Sequence, residues 1–137
     1  MPDSVTFQAE MQMLEAMMHW IRERIDEMGF SVSDSRKIQI AMEEALVNVI
    51  LHAYKEGRGQ VELICDRAPS ERIAFIIKDM GPSFNPLLQT PKLPPIDTPL
   101  EEHEEGGLGI LFIREYMDEV HYERHHPYNV LTLIKVI

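Results

Sequence analysis

The chain has 137 residues, 45% of them hydrophobic and 26% charged, proportions of an ordinary domain able to bury a core without staples. Its single cysteine, Cys65, lies in the apolar-rich run Val61-Glu62-Leu63-Ile64-Cys65, so a buried thiol in a reducing cytoplasm is expected, rather than a disulfide or a catalytic nucleophile. A net charge of −10 with no Lys/Arg cluster excludes nucleic-acid binding as the main activity, and no apolar run approaches the roughly 20 residues that cross a bilayer. The start Met1-Pro2-Asp3-Ser4 has no basic leader, so one cytoplasmic domain over residues 1–137 is expected.

In chain order, Met11, Leu14, Met18, Ile21, Ile25 and Met28 recur at three- and four-residue steps before Gly29, which predicts a helix over roughly residues 7 to 28. Met13, Met17 and Trp20 widen its apolar arc. The main stripe suits packing on the domain's own sheet, while the Met-rich flank suits either that core or a partner surface. Ser33 or Asp34 can cap a second helix running to about Tyr54, before Gly57-Arg58-Gly59. Gln60 to Asp66 and Arg72 to Lys78 read as a hairpin around Ala68-Pro69-Ser70-Glu71.

From Gly81 to about Glu105 the pattern stops. Pro82, Pro86, Pro91, Pro94, Pro95 and Pro99 fall here among Asp97, Glu101, Glu102, Glu104 and Glu105. Proline disfavours both helix and central strand, and a long loop inside a compact domain is usually functional or disordered, so a mobile functional loop is expected. Gly106-Gly107-Leu108-Gly109 then opens a third helix to about Tyr116, and strands Glu119 to Arg124 and Val130 to Ile137 flank a turn at His126-Pro127-Tyr128-Asn129.

Three features carry chemistry. On the second helix, Glu44, Asn48 and His52 form one row at four-residue steps within an otherwise apolar segment. Buried polar groups need partners, so the row is either a structural hydrogen-bond network or a proton-handling carboxylate beside an amide oxygen that ligates a hard cation such as Mg²⁺. Next, a strand ends on Asp79-Met80-Gly81-Pro82, where an acidic side chain can accept a hydrogen bond from a base edge or simply end the strand. Last, the glycines at 106, 107 and 109 before a helix can converge backbone N–H groups on an anion, or serve as a hinge. Neither a P-loop nor a Rossmann fingerprint is present.

The ordered set Glu44-x-x-x-Asn48, Asp79-x-Gly81, long loop, Gly106-Gly107-x-Gly109 resembles the GHKL ATPase superfamily with its Bergerat nucleotide-binding fold. The runs from Glu44 to Tyr54 and from Gly106 to Val120 are similar to bacterial anti-sigma-factor serine-protein kinases. The resemblance implies a two-layer α/β sandwich, with helices on one face of a mixed, mainly antiparallel sheet, and ATP with Mg²⁺ as cofactors. Matched position by position, it makes Glu44 the general base, Asn48 the Mg²⁺ ligand and Asp79 the adenine-reading carboxylate. Gly81 becomes a close backbone approach, Gly106, Gly107, Leu108 and Gly109 the phosphate-side segment, and residues from about Asn85 to Glu105 the ATP lid.

The implied function is serine/threonine phosphorylation of an anti-sigma-factor antagonist by a protein that also binds a sigma factor, with a homodimer left open. A nucleotide-gated module that sequesters a partner without phosphoryl transfer is the alternative. Three places depart from the family pattern: Ser83 stands where a second Gly is common, Tyr128-Asn129 where a Gly-Thr lines the adenine pocket, and Lys92 is the sole basic residue between Asn85 and Glu105.

Overall fold

Residues 3–8 form a strand, where the start of a helix was expected from residue 7. In the computed structural model, which describes residues 2–54, 58–88 and 107–137, β1 spans Asp3–Gln8 and pairs antiparallel with residues 60–65. Val5 and Phe7 pack on the core while Ser4, Thr6 and Gln8 are exposed, a two-residue alternation that belongs to a strand. A 3-10 turn over Met11–Met13 leads into α1, Leu14–Asp26, and Gly29 follows with φ 80°. The Met-rich flank is mostly core. Of the flank, Met17 is fully buried and Met13 and Trp20 pack against the core, whereas Met11 of the main stripe is 51% exposed.

The second helix, α2, spans Val32–His52, and its cap is Ser31 rather than Ser33 or Asp34. Ser31 has the extended backbone that capping requires, and its Oγ accepts from the Asp34 N–H at 3.1 Å; Ser33 and Asp34 already lie in the first turn, where their own N–H groups need satisfying. Strands β2, Gln60–Ala68, and β3, Arg72–Asp79, form the expected hairpin. Its turn places Ser70 at φ 66°. After a short 3-10 turn at Pro86–Leu88 and the undescribed residues 89–106, α3 spans Gly107–Tyr116, followed by β4, Glu119–His125, and β5, Tyr128–Val136. The last turn is tighter than expected: His125 pairs with Tyr128, so His126 and Pro127 alone make it and β5 begins two residues early.

The strand order is β1-β2-β3-β5-β4, with all four pairings antiparallel, so the sheet expected to be mainly antiparallel is wholly so among the described strands. Alternate residues Leu63, Cys65, Ile73, Phe75, Ile77 and Leu133 face one side and are fully buried against Met17, Ile21, Ile38, Met42 and Leu46. The three helices therefore cover one face of the sheet, with α2 packed between α1 and α3. Burial of this apolar layer is the main stabilising term, at about 25 cal/mol per Å² removed from water. The Cys65 thiol lies within it, and desolvation pushes its pKa up to about 12. It stays protonated and unreactive. At the sheet's far edge Arg67 pairs with Asp3 of β1 and with Glu27 after α1, tying the first strand to its register. Among the described residues no helix is long and apolar enough to cross a membrane.

Candidate functional site

The end of α2, the end of β3 and the start of β5 meet at one open cleft. Asn48, Asp79, Asn129 and Tyr122 bring polar groups to its lining, and Val49, Phe84 and Leu131 contribute apolar walls. Both Asn48 and Asp79 are buried, at 4% and 5% exposed. Asn48 projects from α2 into the cleft lining beside Asp79.

Asp79 is held from two sides. Its Oδ1 accepts from the Gly81 N–H at 2.9 Å and from Asn129 Nδ2 at 2.9 Å, while Oδ2 has no hydrogen-bond partner among the described residues. The turn that follows needs glycine: a Cβ on Gly81 would lie 2.4 Å from the Ala53 carbonyl oxygen and 2.8 Å from its Cα. The Gly81 carbonyl in turn accepts from Arg124 Nη1 at 2.8 Å. The Tyr54 hydroxyl accepts from the Met80 N–H and donates to the Gln60 carbonyl, both at 2.8 Å, so the strand end is braced on each side.

Glu44 lies one turn before Asn48 on α2 and packs against the first turn of α3. A Cβ on Gly109 would stand 2.6 Å from Glu44 Oε2, so the absence of a side chain there makes room for the carboxylate. Desolvation by burial, with the neighbouring Glu43 charge second, raises the Glu44 pKa above the ordinary carboxylate value. The third member of the row meets an aromatic ring. His52 is half-buried and stacks on Phe84, ring centroids 5.0 Å apart, which makes it a packing partner at the cleft mouth.

Gly107, Leu108 and Gly109 fall in the first turn of α3. Gly106, Lys92 and the expected lid beyond Leu88 lie outside the described residues. Of that segment, Pro86 lines the cleft and the Leu87 carbonyl accepts from Arg114 Nη2 at 2.7 Å. The residue that sequence reasoning left unassigned is Asn129. Its only signal was its place at the position of the missing Gly-Thr, and pairing of β3 with β5 sets it directly opposite Asp79.

Among the described residues no three His, Cys, Asp or Glu side chains converge into a metal centre. An amide and a nearby carboxylate nonetheless fit Mg²⁺, which takes few protein ligands and completes its shell with phosphate oxygens and water.

The fold is an α/β sandwich, a helix layer on an antiparallel sheet, with a buried strand-end carboxylate and the helix-row amide on one cleft. The chain belongs to the histidine kinase-like ATPase domain family, whose model matches residues 7–135. Among curated relatives it is similar to the serine-protein kinase RsbW of Bacillus mycoides (strain KBAB4), 35% identical over 95 residues, and to RsbW of Bacillus cereus (strain Q1), 34% identical over 95 residues. Each match covers 68% of this chain and 59% of the relative's length. Among solved structures it resembles the RsbU and RsbW domains of Rv1364c from Mycobacterium tuberculosis, with TM-score 0.67 and 17% identity over 99% of this chain and 32% of that one. That likeness is one of fold.

Proposed function

We propose that the chain is an ATP- and Mg²⁺-dependent serine/threonine protein kinase that also holds a sigma factor and whose phosphoacceptor is a small antagonist protein. The observation that carries the nucleotide reading is the cleft itself, where the buried Asn48 and Asp79 side chains line one wall together. The curated RsbW relatives supply the reaction class. In this reading Asp79 Oδ2 accepts from the amino group of the base, and Asn48 would hold the cation through its amide oxygen. Bound Mg²⁺ would neutralise charge on the phosphates. Gly106, Gly107 and the start of α3 offer backbone N–H groups to the phosphate side.

Transfer then needs little beyond positioning. The acceptor hydroxyl oxygen bonds to the terminal phosphorus, the bond to the bridging oxygen breaks and ADP leaves, and Glu44 takes the hydroxyl proton. Incubating the chain with labelled ATP, Mg²⁺ and candidate antagonist proteins tests this directly, with label expected on the acceptor. Nucleotide binding without label on any acceptor would instead favour a nucleotide-gated sequestering module. A melting temperature unmoved by saturating Mg-ATP would defeat both.

The base assignment has its own test. Asp79→Asn replaces an acceptor with an amide that can present N–H to the base, so affinity for ATP and for ADP is expected to fall alike, by about ten- to a hundredfold. Calorimetry that finds both affinities unaltered would leave Asp79 only as a strand end.

A further inference from the structure

We infer that Asn129 is a positioning residue that sets the base selectivity of the cleft by clamping the Asp79 carboxylate in one orientation. The inference rests on the nucleotide reading above. Asn129 is 5% exposed and is the cross-strand partner of Asp79. Its Nδ2 lies 2.9 Å from Asp79 Oδ1, 3.0 Å from the Pro82 carbonyl oxygen and 3.3 Å from that of Gly81. Its Oδ1 accepts from the Tyr122 hydroxyl at 2.6 Å and from the Phe84 N–H at 3.4 Å. Three acceptors surround the NH₂ group and two donors face the oxygen. The amide therefore has one satisfactory orientation, since a flip would set oxygen against three oxygens.

The consequence falls on Asp79. With two donors on Oδ1, from Gly81 and Asn129, the carboxylate cannot turn without breaking buried, charge-assisted bonds. Oδ2 is left as an acceptor with a fixed direction, as required to receive an N–H from a 6-amino purine. A 6-oxo purine would bring an oxygen to the same place, and the clamped carboxylate cannot swing aside to reach the ring N–H next to it. The same amide also holds the Pro82 and Phe84 backbone, so the base-reading group and the start of the following loop are fixed by one side chain, itself steadied by Tyr122.

Calorimetric titration of the whole chain with Mg-ATP and with Mg-ITP, whose base carries a 6-oxo group, tests the clamp. The wild-type protein is expected to prefer ATP. In Asn129→Leu the ATP affinity should fall about tenfold with ITP little changed, and Tyr122→Phe should narrow the preference about threefold. Melting of each variant without nucleotide reports its folding, and the conservative Tyr122→Phe keeps the test decisive if Asn129→Leu does not fold. A parallel loss of both nucleotides, an unchanged ratio in the folded variants, or no wild-type preference would each overturn the clamp. Wild-type protein that binds neither nucleotide would overturn the nucleotide reading itself.

Discussion

Replacing Glu44 with Gln is expected to slow phosphoryl transfer about a hundred- to ten-thousand-fold, the usual worth of a positioned general base, while Mg-ATP affinity stays within about twofold. The amide keeps the shape that fits against Gly109 but cannot take the acceptor's proton. A pH profile separates this role from a packing role. Burial and the Glu43 charge raise the Glu44 pKa, and only the ionised form accepts a proton. The acid limb of wild-type transfer should therefore lie above the ordinary carboxylate value of about 4.3. Glu43→Gln removes one of the raising causes, so that limb should move to lower pH. Single-turnover transfer measured across pH decides the matter, and wild-type rates in Glu44→Gln would remove the base assignment.

The second large effect is on stability. Gly81→Ala would place a methyl 2.4 Å from the Ala53 carbonyl oxygen, 2.8 Å from its Cα and 2.9 Å from its carbonyl carbon. All three are backbone atoms just past the end of α2, so no rotamer change relieves the contact. Either the strand end or the helix end must shift, which costs about 2–3 kcal/mol, the range of overpacked sites. The shift would also draw the Gly81 N–H from Asp79 Oδ1 and its carbonyl from Arg124. A melting temperature lower by about 10 °C, together with weakened nucleotide binding, is the expected result. A variant as stable as the wild type would mean that the turn has slack the close approach does not suggest.

Where periodicity was strong and local, the elements it predicts are the ones that form. The run from Ile38 to His52 is helical because apolar side chains recur on several of its faces, and the four-residue step alone put Glu44 and Asn48 on one row. The β2–β3 hairpin followed from two β-branched runs around Pro69-Ser70. Local signals failed at the edges. Six residues with two apolar side chains did not announce β1, and Ser31 won the cap over Ser33 because its backbone, rather than its side-chain type, was in the extended conformation.

By itself, then, the sequence determined the helix row and the strand-end carboxylate with its glycine, because these are spacings of four and two residues that backbone geometry turns into fixed directions, and the resemblance those motifs carry pointed to the ATPase class. Tertiary structure decided what those groups face. The setting of Asn129 opposite Asp79 depends on pairing strands 50 residues apart, and the fit of Glu44 against Gly109 depends on how α3 packs on α2. What His52 stacks on depends on where Phe84 comes to rest. No periodicity encodes such contacts, because each is settled by how the whole apolar layer between helices and sheet closes, and that closure is a property of all its side chains together.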